Sequence, residues 1–132
     1  MDLLTRVLRE RFGTIPVHTA AEVRLLAERF PDNIRLFSAE RAGQMVAGVL
    51  VYGTPTVAHA QYIASDRTGA LDLLFEHLLT DVYRDRWFDF GSSHERDGGL
   101  NAGLVRQKEG FGARTIVRDH YALDLVDPIG QK

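Results

Sequence analysis

Val57-Ala-His-Ala-Gln-Tyr-Ile-Ala64, then Ala70-Leu-Asp-Leu-Leu-Phe-Glu-His-Leu-Leu-Thr-Asp-Val-Tyr83, then Trp87-Phe-Asp-Phe-Gly91: these three runs, taken in order, decide the fold. In the middle run Leu71, Leu74, Phe75, Leu78, Leu79, Val82 and Tyr83 fall at i, i+3, i+4, i+7, i+8, i+11 and i+12. That spacing is one apolar face of a helix, expected from about Gly69 to Arg86. The flanking runs are short and apolar, as strands are. Strand, helix and strand within one sheet make a right-handed crossover, so Val57–Ala64 and Trp87–Gly91 are expected to be parallel neighbours. Alternation along the first strand puts His59, Gln61 and Ile63 on one face and Tyr62 on the other.

Working outward, Asn33–Arg41 and Met45–Gly53 read as two strands of a hairpin around Ala42-Gly43-Gln44. The second is apolar on both faces, as a central strand is. Thr19-Ala-Ala-Glu22 reads as a capping box that opens a helix ended by Pro31. Leu3, Leu4, Val7, Leu8 and Phe12 form the stripe of an opening helix. After the polar loop Ser92–Gly99 comes a helix from about Leu100 to Glu109. Thr115, Val117, Tyr121, Leu123 and Leu125 then fit one long final strand. The order α-α-β-β-β-α-β-α-β gives an α/β (α+β) class: a mixed, mainly antiparallel sheet with one parallel βαβ pair and helices on both faces. Residues 1–32 form a helical N-terminal part and 33–126 the sheet core of a single domain.

Bulk composition sets limits. The 132 residues suffice for one domain with a buried core, and the formal net charge of −2 points away from a broad nucleic-acid or anionic-membrane footprint. Cysteine is absent, which removes disulfides, thiolate catalysis and cysteine-based metal sites. The five histidines show no His-x-x-x-His spacing, so no catalytic metal is expected. No secretory start and no apolar run of membrane length is seen, and a soluble cytoplasmic protein is the expectation.

One basic residue stands out. Of sixteen Lys and Arg, only Lys108 and Lys132 are lysine, and Lys108 precedes Gly110-Phe-Gly112. It reads either as a cation offsetting a helix dipole, which arginine would do equally well, or as a compact charge aimed at a reacting oxygen. The loop Gly91-Ser-Ser-His-Glu-Arg-Asp-Gly-Gly99 gathers acid, base and hydroxyl groups just past the carboxyl end of a parallel strand, where ligands of open α/β sheets often bind. A plain solvated turn is the other reading of that loop.

Together, Ala58–Ala64 leading into Ser65-Asp-Arg-Thr-Gly-Ala70, Phe88-Asp-Phe-Gly91, Gln107-Lys-Glu-Gly-Phe-Gly112 and the final strand resemble the GNAT acyltransferase superfamily. More narrowly they are similar to its FemABX-like branch of aminoacyltransferases, over roughly Asn33 to Val126. The resemblance implies an acyltransferase that takes an acyl group from acetyl-CoA, another acyl-CoA or an aminoacyl-tRNA. The acceptor would be an amine or hydroxyl of a small molecule or peptide. Arg67, Thr68, Gly69 and Ala70 stand where that superfamily binds pyrophosphate at a helix N-terminus, although the lead-in is shortened and ordinary capping is the alternative. Tyr62, Ile63 and Ala64 line the gap between diverging strands that admits the acyl arm. Lys108 aligns with a lysine near the transferred group, with Gln107 in place of an aromatic residue. Glu95 is the expected base, Lys108 the oxyanion-stabilising cation, and Asn101 or Ser92 the orienting contacts. The rival expectation is a non-catalytic binding or dimerisation module, completed by a second copy or a second GNAT-like unit.

Overall fold

The computed structural model describes residues 5–6, 16–66, 69–95, 97–117 and 119–123. Helix α1 spans Ala20–Arg29; strands β1, β2 and β3 span Ile34–Arg41, Gln44–Gly53 and Val57–Ser65; helix α2 spans Ala70–His77. Strand β4 is Trp87–Asp89 and helix α3 is Ala102–Gly110. The four strands form one sheet in the order β1-β2-β3-β4. The first two pairings are antiparallel and β3 pairs with β4 in parallel, as the strand-helix-strand reading requires.

Local chemistry fixes these elements. Thr19 and Glu22 close a reciprocal capping box at the start of α1. The β1–β2 hairpin turns through Ala42 and Gly43, both with positive φ (52° and 75°), the backbone of a tight two-residue turn. Thr54 N–H donates to Val57 O at 2.8 Å and closes the β2–β3 corner, and Arg86 Nη1 donates to Thr54 O at 2.9 Å. The entry to β4 is thereby tied to that corner.

One face of the sheet carries the core. Val49, Val51, Ala58 and Ala60 pack under Leu74, Phe75 and Leu78 of α2 and its continuation. Leu78–Val82 is a π-helical turn, closed by Tyr83 N–H donating to Leu78 O at 2.8 Å. With more residues per turn than an α-helix, it keeps Leu78 and Tyr83, five apart, both buried against the sheet.

Three expectations change. Gln61 has no partner in the β2–β3 register, where Leu50 faces Tyr62 and Val51 faces Ala60. This bulge reverses the alternation, so Ile63 packs against the core with Ala58 and Ala60 and does not share a face with His59. The long helix leaves α-geometry at Leu78 and ends by Tyr83, short of Arg86. The final strand does not form among the described residues: Thr115–Val117 and Asp119–Leu123 pair with nothing in the sheet, and Val117, Tyr121 and Leu123 are exposed. Apolar alternation alone supplies no ladder partner. Leu125 and the opening helix lie outside the described residues, apart from Thr5 and Arg6, which are helical.

Two stability measurements follow from this fold. Ala42→Asn should stabilise the protein by about 0.5–1 kcal/mol in thermal denaturation, because asparagine tolerates the left-handed conformation better than alanine. The Glu22 carboxyl is held below its ordinary 4.5, first by the backbone N–H of Thr19 and then by its hydroxyl. A depressed carboxylate contributes stability above its unfolded value and loses it as pH falls through the folded one. Glu22→Gln should therefore flatten the stability profile on the acid side of pH 4.5.

Candidate active site

The parallel ladder between β3 and β4 is three pairs long: Val57 with Trp87, Ala58 with Phe88, His59 with Asp89. Beyond His59 the ladder ends, and β3 continues to Ser65 with no strand on that edge among the described residues. Phe88 and Phe90 turn into the core, where Phe90 meets Phe75 at 5.1 Å between ring centroids and stacks on Phe111. Between them Asp89 points to the opposite face, and it meets His59 there: His59 Nδ1 lies 2.9 Å from Asp89 Oδ2. The other carboxylate oxygen accepts from the N–H of Gly91 at 2.8 Å. Gly91 has φ of 75°, and a side chain there would stand 3.7 Å from His59 Cε1.

Lys108 acts on the same point. Its ammonium donates to Gly91 O at 2.9 Å, Ser92 O at 2.8 Å and Ser93 Oγ at 2.8 Å. Three donors meet three acceptors. Burial lowers its basicity from the ordinary 10.5, partly offset by the charge of Asp89. The ammonium thus faces inward and fixes the chain where it leaves β4. The carbonyl oxygens it holds belong to the two residues at which the strand departs from its neighbour.

The loop has a second cluster. Ser92 Oγ lies 2.7 Å from His94 Nδ1, and His94 forms an isolated antiparallel bridge with Leu100. Asn101 serves twice: its Oδ1 accepts from Leu104 N–H at 2.9 Å and caps α3, and its Nδ2 donates to Glu95 Oε1. Glu95 is exposed and held by that contact. Ser92 and Lys108 are therefore brought together through a backbone oxygen, and Glu95 and Asn101 through their side chains.

At the other end of β3, Gly69 opens α2 in the left-handed conformation, with φ of 76° and open space where a Cβ would stand. As the N-cap it brings no side-chain oxygen to the first free N–H groups of the helix. Ala70 begins the helix proper, while Arg67 and Thr68 lie outside the described residues. Tyr62 points away from the core, and its hydroxyl meets His18 just before α1, at 2.7 Å from Nδ1 and 3.2 Å from the backbone N–H. Ala64 is buried. The His59–Asp89 pair and the role of Ser93 are what residue types alone did not reveal. Thirty positions separate His59 from Asp89, and only the register of the parallel ladder joins them.

No protein-family model matches the chain, and no curated protein matches it in sequence. Solved structures do match. A possible acetyltransferase from Clostridium difficile 630 superposes with a TM-score of 0.63 at 10% identity, covering 96% of this chain and 89% of its own. An aminoglycoside acetyltransferase from an uncultured soil metagenomic sample gives 0.56 at 19% identity, over 95% and 89%. A second such enzyme from a soil metagenome, in complex with sisomicin, gives 0.57 at 15% identity, over 93% and 88%. The chain has the fold of these acetyltransferases, a GNAT-like fold. Among the described residues no group of His, Asp or Glu could hold a metal ion, and no helix is long and apolar enough to cross a membrane.

The inward ammonium makes a testable difference at Lys108. Lys108→Met keeps the stem and removes the donors from three oxygens, and should cost about 1–2 kcal/mol, water replacing part of the loss. Lys108→Arg should recover only part, since a planar fork cannot reproduce three contacts converging on one nitrogen. A melting temperature of Lys108→Arg equal to that of the parent would return the residue to simple dipole compensation.

Proposed function

We propose that this protein is an acyltransferase, and that it moves acetyl from acetyl-CoA to an amine or hydroxyl acceptor. The end of the β3–β4 ladder at His59 carries this reading, because among the described residues no strand pairs with that edge of β3 beyond it, in a fold shared with acetyltransferases. The acyl arm would run along Tyr62–Ala64, just past the bulge at Gln61, where backbone N–H groups would face a carbonyl that gains charge during attack. The phosphates would meet the start of α2 at Gly69 and Ala70, with Arg67 and Thr68 in the lead-in. Free N–H groups and the helix dipole favour an anion there, and the missing Cβ leaves room for one.

On the acceptor side, Glu95 presents a carboxylate oriented by Asn101, suited to a cationic small molecule or peptide. Lys108 and Ser92 would hold the chain just past the end of β4, the ammonium adding positive potential beside the developing oxyanion. Acetyl is preferred to an aminoacyl-tRNA donor and to the FemABX-like branch because the matched structures are acetyltransferases covered over nearly their whole length. The second reading, a dimerisation module, is favoured by one observation: Ile116, Val117, Tyr121 and Leu123 are 72%, 86%, 89% and 84% exposed. A second copy or a second GNAT-like unit would cover them.

Thermal denaturation with acetyl-CoA separates the two. A ligand that binds only the native state at a hundred times its dissociation constant adds about 2.7 kcal/mol, so the melting temperature should rise. Gly69→Glu should fold and melt without that rise, since its carboxylate occupies the space in front of α2 and repels phosphate. Absence of any shift at millimolar acetyl-CoA would leave the binding-module reading standing.

A further inference from the structure

The geometry points to His59 as the general base of the proposed transfer and to Asp89 as the residue that positions it, an assignment that rests on the acyltransferase reading. Three observations converge. His59 and Asp89 are the last pair of the parallel ladder, so the imidazole stands at the carboxyl end of the paired strands, where ligands of open α/β sheets often bind. Asp89 can only accept, and its Oδ2 is 2.9 Å from Nδ1; the ring proton therefore sits on Nδ1 and leaves Nε2 as an acceptor. Nε2 has no partner among the described residues. The carboxylate is itself fixed, because Oδ1 accepts from Gly91 N–H. Glu95, by contrast, lies on the exposed loop with one oxygen engaged by Asn101.

The step balances without any further reactant. An ammonium acceptor gives one proton to Nε2; the freed amine attacks the thioester carbonyl, a C–N bond forms, and the C–S bond breaks as the thiolate leaves. The thiolate takes the second nitrogen proton, and the imidazolium returns its own to solvent. Among the described residues the titratable groups around His59 are Asp89 on β4, Tyr52 opposite it on β2, Tyr62 on β3 with its partner His18, and Lys108 on α3, whose charge reaches Asp89. Tyr52 is kept protonated by burial, its hydroxyl value raised above the ordinary 10.0, so it does not compete as a base.

Asp89→Asn is the informative variant. Asparagine can keep the Gly91 contact through its oxygen, but its NH2 must donate to Nδ1, which moves the ring proton to Nε2 and blocks proton acceptance. Long-range nitrogen–proton NMR of the imidazole should find the Nδ1–H tautomer in the parent and the Nε2–H tautomer in Asp89→Asn, with no substrate present. In thiol release from acetyl-CoA with sisomicin and a panel of simple primary amines, His59→Gln and Asp89→Asn should each lose at least about a hundredfold in kcat, and both should lose the acid limb of the pH profile. The acetyl-CoA melting shift should persist in both, which separates loss of the base from loss of the donor site. An Nε2–H tautomer in the parent would overturn the assignment whatever the protein transfers. So would an acid limb that survives in His59→Gln and vanishes in Glu95→Gln. A parent that binds acetyl-CoA and acylates none of the amines would overturn the transfer reading and the base together.

Discussion

A parallel strand pair that stops after three residues is the constraint on which the rest of this structure depends. Continued pairing would close the edge of β3 past His59. Two forces end it. Phe88 and Phe90 are drawn to the core, where they join Phe75 and Phe111 in edge-on and stacked contacts. Lys108 then takes the carbonyl oxygens of Gly91 and Ser92, so the backbone that could have extended the ladder is satisfied elsewhere. An aromatic core pulls the strand one way, and a charge-assisted tie fixes where it goes.

The same arrangement sorts side chains by face. Alternation along β4 sends Phe88 inward and Asp89 outward, and the parallel register sets Asp89 beside His59. The bulge at Gln61 works in the opposite sense two residues further along β3, returning Ile63 to the core while Tyr62 faces out to His18. Polar, titratable residues therefore collect on the face away from α2, with the hydrophobic packing confined to the other. A site built in this way does not require polar groups to be buried in the core, which would carry a large desolvation cost.

The end of the parallel ladder is held at Lys108 and Gly91. Both hold the chain at the strand divergence: the lysine by three contacts, the glycine by a left-handed backbone that lets its N–H reach Asp89. Residues in this position change a site's geometry before they change its chemistry. The loop beyond them is held by its own contacts, among them Glu95 N–H to Gly99 O, Asn101 N–H to Ser93 O and the Glu95–Asn101 side-chain bond.

The sequence by itself determined the elements whose physics is local. The helical stripe from Leu71, the capping box at Thr19 and the hairpin around Ala42-Gly43-Gln44 each carry their own signal within a few residues, and the β3-α2-β4 order left a parallel pairing as the sterically favoured connection; that Gln44 already belongs to the strand was decided by the pairing. Asn101 and Glu95 were legible as loop polar groups, but their contact was not. Tertiary structure alone decided the bulge at Gln61, since an extra residue is defined only against the opposing strand. It also decided that the alternating segment from Thr115 finds no ladder within the described residues, because a strand's hydrogen bonds are made by its neighbour. His59 and Asp89 were each visible in the sequence as a polar residue in an apolar strand. That they form a pair is a fact of register, and register is set by how α2 packs the two strands together.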